Sequence, residues 1–188
     1  MYVCPSNVNF INTIIIMKKI IYLVLLSLIT GLVAQAHDKT GEWNGCDRYD
    51  FTFKDRQATI VVPKKAAKGN PWIWRPAFFD AFPSVDKALL EKGFHIVYYD
   101  VTHLYGSPRA VSLGTEFYEN MTDLYNLSEK VTLEGFSRGG LFVFNWVAQN
   151  TEKVACIYVD APVCDVFSWP GRKNTALWND LLKEWNLT

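Results

Sequence analysis

The chain has 188 residues with 19 basic and 19 acidic side chains, so its formal net charge is zero. An apolar content of 49% and an aromatic content of 15% exclude disorder as the main state and allow one domain with a core. The neutral balance, without a stripe of lysine and arginine, argues against a nucleic-acid partner.

The N-terminus has the pattern of a cleaved signal peptide. Lys18 and Lys19 precede an apolar run over residues 20–33, and Ala34-Gln35-Ala36 supplies a small-residue cleavage site. A membrane helix needs about 20 apolar residues, so an uncleaved anchor is the weaker alternative and we expect no stable anchor after cleavage. We therefore predict a leader and signal peptide over 1–36, a partial domain over 37–188, and a secreted or periplasmic protein. Met17 is an alternative start of translation.

Export would place the remaining cysteines in an oxidising compartment. The cysteines after the predicted signal peptide are odd in number: Cys46, Cys156 and Cys164. Two interpretations stand: Cys156 and Cys164 pair across one turn, or all three are small buried apolar residues. No C-x-x-C motif or His/Cys cluster indicates a metal, and we predict no cofactor.

The first half of the domain begins with polar residues, 37–47, that are typical of a loop. Alternating and buried apolar runs then predict strands over 49–53, 58–62, 71–74 and 94–99. Ser84 to Gly93 predicts a helix with Ser84 as its N-cap and a terminating glycine.

The second half alternates between the two element types. Helices are predicted over 114–126, 138–150 and 174–186, and strands over 131–133 and 154–159, the last of them buried. Two antiparallel strands followed by buried strands and helices in alternation predict an α/β fold with a mostly parallel sheet.

A G-x-S-x-G motif follows the predicted strand 131–133 and opens the next helix. The motif consists of Gly135, Ser137 and Gly139, and it is followed by a further glycine, Gly140. A nucleophile elbow has this context: a strand, a sharp turn with the serine at its tip, and a helix. We predict that Ser137 is a catalytic nucleophile at the carboxyl edge of the sheet, where ligands of such sheets bind. The alternative is a serine that caps the helix between packing glycines.

An oxyanion hole needs two N–H donors. The N–H of Arg138, directly after the serine, is the first candidate. The second should come from the loop after the third strand of the core sheet, where Pro76 has no N–H and Arg75 or Ala77 must donate. The Arg75 guanidinium has two open interpretations: it holds a substrate carboxylate in the pocket, or it is a structural arginine stacked on a tryptophan.

The stretches NPWIWRPAFF, GFHIVYYDV, LYGSPRAV, LEGFSRGG and EKVACIYVDAPVCDVFSWPG resemble a group of secreted bacterial hydrolases of the α/β-hydrolase superfamily. The resemblance covers about residues 41–188. It implies an α/β-hydrolase fold, with N-terminal antiparallel strands and then a mostly parallel sheet with helices on both faces. It also implies Ser137 as nucleophile, Arg138 as oxyanion donor and Arg75 as a weaker assignment. Some members occur beside polysaccharide-degrading enzymes, which implies saccharide-ester substrates.

The remaining triad members are less clear, because such enzymes place the acid and then the histidine after the serine. No histidine follows Ser137. Asp160, at the end of the last predicted strand, is the candidate acid, with Asp165 a weaker one; Asp160 as a turn cap is the alternative. His103 lies in a loop at the correct edge, whereas His95 begins its strand at the opposite edge.

We expect the chain to be incomplete at its C-terminus, because its final predicted helix resembles the start of a cap or connecting segment. A serine without its base is a weak nucleophile, so we expect the 188-residue chain alone to be nearly inactive. The predicted function is an exported ester hydrolase acting on a small-molecule or saccharide ester through an acyl-enzyme on Ser137. Peptidase activity is the nearest enzymatic alternative, and a carbohydrate-binding module or non-catalytic remnant is the alternative of another class.

Overall fold

The computed structural model describes Met17, Lys18 and residues 37–187, and the predicted leader otherwise lies outside these residues. The strands within this part are β1 (Gly41–Trp43), β2 (Cys46–Phe53), β3 (Arg56–Val62), β4 (Trp72–Arg75), β5 (His95–Tyr99), β6 (Val131–Phe136) and β7 (Val154–Asp160). The helices are α1 (Ser84–Glu91), α2 (Pro108–Tyr125), α3 (Gly139–Gln149) and α4 (Thr175–Glu184). None of these helices is long and apolar enough to cross a bilayer.

The strands form one sheet in the spatial order β1-β2-β3-β5-β4-β6-β7. The pairs β1–β2, β2–β3 and β3–β5 are antiparallel, and β5–β4, β4–β6 and β6–β7 are parallel. The predicted α/β class is therefore confirmed. The chain crosses from β4 to β5 through α1 and from β5 to β6 through α2, so the carboxyl ends of β4, β5 and β6 meet at one edge.

Alternating side chains of the central strands form two apolar layers, one on each face of the sheet. Trp72, Trp74 and Val97 pack against α2 and α3, whereas Ile73 and Ile96 pack against α1. The period-two alternation along a strand sends successive side chains to opposite faces. Helices therefore cover both faces of the central sheet, as predicted.

Several element boundaries differ from the sequence prediction; strand β6, for example, ends three residues later, at Phe136. Residues 37–47 are not a loop throughout, because β1 and the start of β2 form a hairpin through Asn44 and Gly45, which both have positive φ. Ser84 is the first residue of α1 and not its cap, since Pro83 holds the cap position and no side chain caps there. Helix α2 begins at Pro108, six residues before the prediction, because Ser107 accepts a hydrogen bond from the Ala110 N–H.

Strand β7 is exposed, which corrects the prediction of a buried strand. Within the described part of the chain it pairs only with β6, and Ile157, Tyr158 and Val159 are each more than a third exposed. An apolar run shows that a strand can be buried, but the sheet order decides whether a neighbour covers it. Cys156 on β7 and Cys164 are exposed and unpaired, and Cys46 is buried. Neither interpretation of the cysteines holds in full, because Cys156 and Cys164 form no disulfide and Cys46 is the one buried cysteine among these three.

Candidate functional site

The predicted elbow has the expected shape. Strand β6 ends at Phe136 and α3 begins at Gly139, and Ser137 between them has a φ of +48°. A left-handed φ is uncommon for a residue with a side chain, and such residues cluster at functional sites. The Ser137 N–H donates to the Asp160 carbonyl at 3.0 Å, and the Ser137 carbonyl accepts from the Val163 N–H at 2.8 Å. The end of β7 and the segment after it therefore hold the serine backbone in this conformation.

The glycines of the motif permit close approach, as the sequence suggests, but Gly140 is the most constrained. A Cβ on Gly140 would lie 2.7 Å from the Pro162 Cβ and 2.9 Å from the Val163 carbonyl oxygen. A Cβ on Gly135 would lie 3.0 Å from Val159, and one on Gly139 would meet Ala77 at 3.3 Å. The tightest crossing is thus between α3 and the segment after β7.

The Ser137 hydroxyl makes no hydrogen bond to any residue in the range 37–187. His37 is hydrogen-bonded at 3.0 Å to the Tyr125 hydroxyl. His95 is buried at the opposite edge, with its Nδ1 3.4 Å from the Pro71 carbonyl, and burial lowers the pKa of its imidazole. His103 is exposed at the correct edge but makes no hydrogen bond to Ser137. The described histidines therefore do not form a base–nucleophile pair with Ser137.

Two backbone donors lie beside the elbow. The Arg138 N–H makes no backbone hydrogen bond within the described chain, and Arg138 holds the N-cap position of α3. Ala77 follows β4 and comes close to the start of α3, since a Cβ on Gly139 would meet its methyl group. The N–H of Ala77 likewise makes no backbone hydrogen bond within residues 37–187. These two N–H groups, with the positive end of the α3 dipole, can stabilise an oxyanion.

Arg75 does not offer its guanidinium to a ligand. The side chain is 1% exposed and forms ion pairs with Asp86 and, at 3.3 Å, with Glu134, and it donates to the Ala81 carbonyl at 2.9 Å. Arg75 is thus a structural arginine, as the second interpretation held, but its partners are carboxyl groups and it stacks on no tryptophan of residues 37–187. We call Arg75, Asp86 and Glu134 the buried ion cluster. It joins the end of β4, the start of α1 and strand β6 directly before the elbow.

The buried ion cluster holds two carboxyl groups against one guanidinium. Burial raises the pKa of Asp86. Burial, and next the negative charge of Asp86, raise the pKa of Glu134 to about 8. The Asp86 Oδ1, Glu134 Oε2 and Arg75 Nε atoms find no hydrogen-bond partner. Glu134 therefore carries a proton at neutral pH, and one negative charge faces one positive charge.

This protonation predicts that the stability of the fold falls as the pH rises. The pKa of Glu134 is raised above its ordinary value of 4.5 in the folded state, so the native state binds more protons than the unfolded state between about pH 4.5 and 8. The stabilising contribution is complete below the unfolded pKa and is lost as the pH rises through the folded pKa. We expect Glu134→Gln to remove this slope in urea unfolding measured from pH 5 to 8.5.

Glu129→Gln, at an exposed position just before the same strand, is the matched control and should keep the wild-type slope. A Glu134→Gln protein with an unchanged slope would assign the proton to another group.

The candidate acid Asp160 lies beside the elbow through its backbone. Its carbonyl accepts the Ser137 N–H, while its side chain is exposed and makes no hydrogen bond within the described chain. Asp165 caps a turn, since its Oδ1 accepts from the Phe167 N–H at 3.0 Å. The structure thus brings Ser137, Arg138 and the Asp160 backbone together, and it separates the Arg75 side chain from them.

A cavity of about 370 Å³ opens at the same edge of the sheet. Its lining residues are Gln57, Phe78, Phe79, Tyr98, Asp100, Thr102, His103 and Arg138. No local sequence pattern indicates this cavity, because its residues come from β3, the loop after β4, β5, the loop after β5 and the elbow. Only the spatial order of the strands brings these segments together.

No protein-family model and no curated protein matches this sequence. Solved structures do match. A cold-adapted esterase from an Arctic intertidal metagenomic library, solved with zinc bound, is 8% identical with a TM-score of 0.54, over 78% of this chain and 72% of that one. The Francisella virulence factor BioJ is 19% identical with a TM-score of 0.49, over 78% of this chain and 51% of that one.

An acetyl xylan esterase from Aspergillus awamori is 15% identical with a TM-score of 0.48, over 60% of this chain and 50% of that one. The chain spans between 36% and 51% of the length of the first solved structures that it matches. The likeness to the Arctic esterase, together with the strand order and the elbow, shows that residues 37–187 have an incomplete α/β-hydrolase fold.

Proposed function

We propose that this protein is an exported serine hydrolase that cleaves carboxylic or carbohydrate esters through an acyl-enzyme on Ser137. The observation that carries the proposal is the strained elbow: a serine with positive φ at the carboxyl end of a central strand, beside two unused backbone N–H groups. Export rests on the leader pattern in the sequence. The fold likeness to esterases supports the same class of reaction.

In the proposed reaction the Ser137 Oγ attacks the ester carbonyl carbon, and a general base takes the hydroxyl proton. The N–H groups of Arg138 and Ala77 bind the oxygen that becomes negative in the tetrahedral intermediate. The alcohol leaves with a proton from the protonated base, and water then cleaves the acyl-enzyme. Asp160 is our proposed acid for orienting the base, because its strand end adjoins the elbow.

The test is labelling of the natural gene product, isolated from its producing cells, with a fluorophosphonate that reacts with activated serines. We expect mass spectrometry to find the adduct on the peptide that contains Ser137, and Ser137→Ala to abolish it. The intact mass of the same sample reports the mature termini. A natural protein whose Ser137 stays unlabelled would contradict the hydrolase and favour a carbohydrate-binding module.

His103 is the remaining histidine at this edge, and we expect it not to be the base. Because its imidazole makes no hydrogen bond to Ser137, His103→Ala should keep phosphonate labelling within about twofold of the wild-type rate, whereas loss of a catalytic base costs orders of magnitude. The rate of labelling at fixed probe concentration measures this. Labelling abolished in His103→Ala would assign the base to His103 and overturn our expectation.

A further inference from the structure

The side chain of Arg138 occupies a position distinct from the backbone role of the same residue. Its guanidinium carbon lies 4.8 Å from the centre of the Phe78 ring and 5.5 Å from that of Trp169. Arginine stacks on aromatic faces in this way, and the rings fix the plane of the guanidinium without occupying its hydrogen-bond donors. The side chain is thus oriented before any ligand binds.

The positive charge of Arg138 has no partner within the described chain. No carboxylate of residues 37–187 lies within 4.0 Å of its nitrogens, and its terminal amino groups donate to no protein atom there. Its Nε is buried and lacks a hydrogen-bond partner. Arg75, by contrast, meets two carboxyl groups. A half-buried guanidinium with unused donors is suited to a planar anion, which it can bind through two parallel hydrogen bonds.

Arg138 also lines the cavity at the carboxyl edge and directly follows Ser137 in the chain. The cavity volume of about 370 Å³ is at the small end of the range for small-molecule sites. Gln57, Thr102 and His103 add further polar groups to its wall. A group bound to the guanidinium would therefore lie in a cavity that the residue directly after the nucleophile lines, whereas Ser137 itself is not among the lining residues.

We infer that the Arg138 guanidinium binds a carboxylate of the ligand, so that the preferred substrate is an ester that also carries a free carboxylate. The identification of this ligand as a substrate rests on the proposed function, whereas the anion site does not. Arg138 would thus have two roles in the proposed reaction. Its backbone N–H would stabilise the oxyanion, and its side chain would select substrates that carry a carboxylate.

Asp100 is the opposing charge in this cavity. Its Oδ1 accepts a hydrogen bond from the Thr102 N–H at 3.1 Å, which holds the carboxylate in its own turn. Its negative charge weakens the binding of any anion nearby. The inference therefore predicts opposite effects for two variants of the same cavity: Arg138→Gln weakens carboxylate binding and Asp100→Asn strengthens it.

The experiment compares benzoate with benzamide, which have nearly the same shape and differ in charge, by titration calorimetry on the natural gene product at low ionic strength. We expect benzoate to bind at least about tenfold more tightly than benzamide, as a charge-assisted pair should. Arg138→Gln should bring the two affinities within about twofold. Asp100→Asn should raise the benzoate affinity about threefold.

Arg172→Gln is the matched control. The Arg172 guanidinium also lies over two rings, 5.0 Å from Phe167 and 5.6 Å from Trp178, but it does not line this cavity. It should keep the wild-type preference for benzoate. Equal affinities in the wild type, a preference that survives Arg138→Gln, or weaker benzoate binding in Asp100→Asn would each overturn the inference.

Phosphonate labelling separates this inference from the proposed function. A protein that labels at Ser137 but shows no preference for benzoate is a hydrolase without the carboxylate site. A protein that prefers benzoate through Arg138 but does not label has the anion site and is not a serine hydrolase.

Discussion

Arg75→Met is expected to lower the free energy of unfolding by about 3–5 kcal/mol at pH 7, because it leaves the Asp86 carboxylate buried without a countercharge. Methionine keeps most of the apolar stem, so the loss reports the charge and the hydrogen bond to the Ala81 carbonyl. Urea unfolding followed by tryptophan fluorescence measures it. The expected loss is a large fraction of the stability of a typical domain.

Arg109→Met provides the control for this prediction. Arg109 forms an ion pair with Glu184 at 3.0 Å, but its side chain is 59% exposed. Surface pairs contribute at most about 1 kcal/mol, so this variant should unfold close to the wild-type midpoint. If both variants lost the same stability, the buried ion cluster would not be a major contributor to the fold. The double variant Arg75→Met/Asp86→Asn should recover part of the loss, since it also removes the charge that Arg75→Met leaves unpaired.

Gly140→Ala is expected to destabilise the protein by about 2–3 kcal/mol, although alanine ordinarily favours a helix over glycine by about 1 kcal/mol. The new methyl group would lie 2.7 Å from the Pro162 Cβ and 2.9 Å from the Val163 carbonyl oxygen. Because the Val163 N–H donates to the Ser137 carbonyl, the displacement should also distort the elbow. We expect both a lower unfolding midpoint and slower phosphonate labelling of Ser137.

Gly139→Ala is the neighbouring control on the same helix. Its methyl group would approach Ala77 and Pro76 no closer than 3.3 Å, a contact that a small displacement of the loop after β4 can relieve. Its midpoint should lie within about 1 kcal/mol of the wild type. If Gly140→Ala were equally mild, the segment after β7 would move freely, and it would not hold the serine backbone.

Local signals in the sequence were sufficient to predict most of the helices and strands and the elbow between β6 and α3. The G-x-S-x-G glycines, the preceding strand and the following apolar helix all lie within twenty residues, and the structure joins them as predicted. Ser107 and Pro108 are also a local signal for the start of a helix, and the predicted start of α2 at residue 114 did not take it into account.

The buried ion cluster could not be found in this way, because Arg75, Asp86 and Glu134 are far apart in sequence. One signal was present: a glutamate in the middle of the apolar run Val131 to Phe136 is unusual unless it is paired. Its partner is specified by the sheet order, which places β4 beside β6. The exposure of β7 depends on the same order. Properties set by which strands are neighbours are not encoded in any one segment.

The backbone hydrogen bonds that join Ser137 to Asp160 and Val163 have a consequence for the order of folding. One goes to the last residue of β7, Asp160, and the other to Val163 in the segment after it, so neither forms until that strand has joined β6. Contacts between distant parts of a chain tend to form slowly, because the entropy cost of closing the loop precedes the stabilisation that the contact provides. The motif itself is complete by Gly139. A nascent chain that ends at Gln149 would nevertheless contain the motif residues without the two hydrogen bonds that hold Ser137 in its conformation. The left-handed backbone conformation of Ser137 is therefore expected to form late in folding, after most of the sheet has formed.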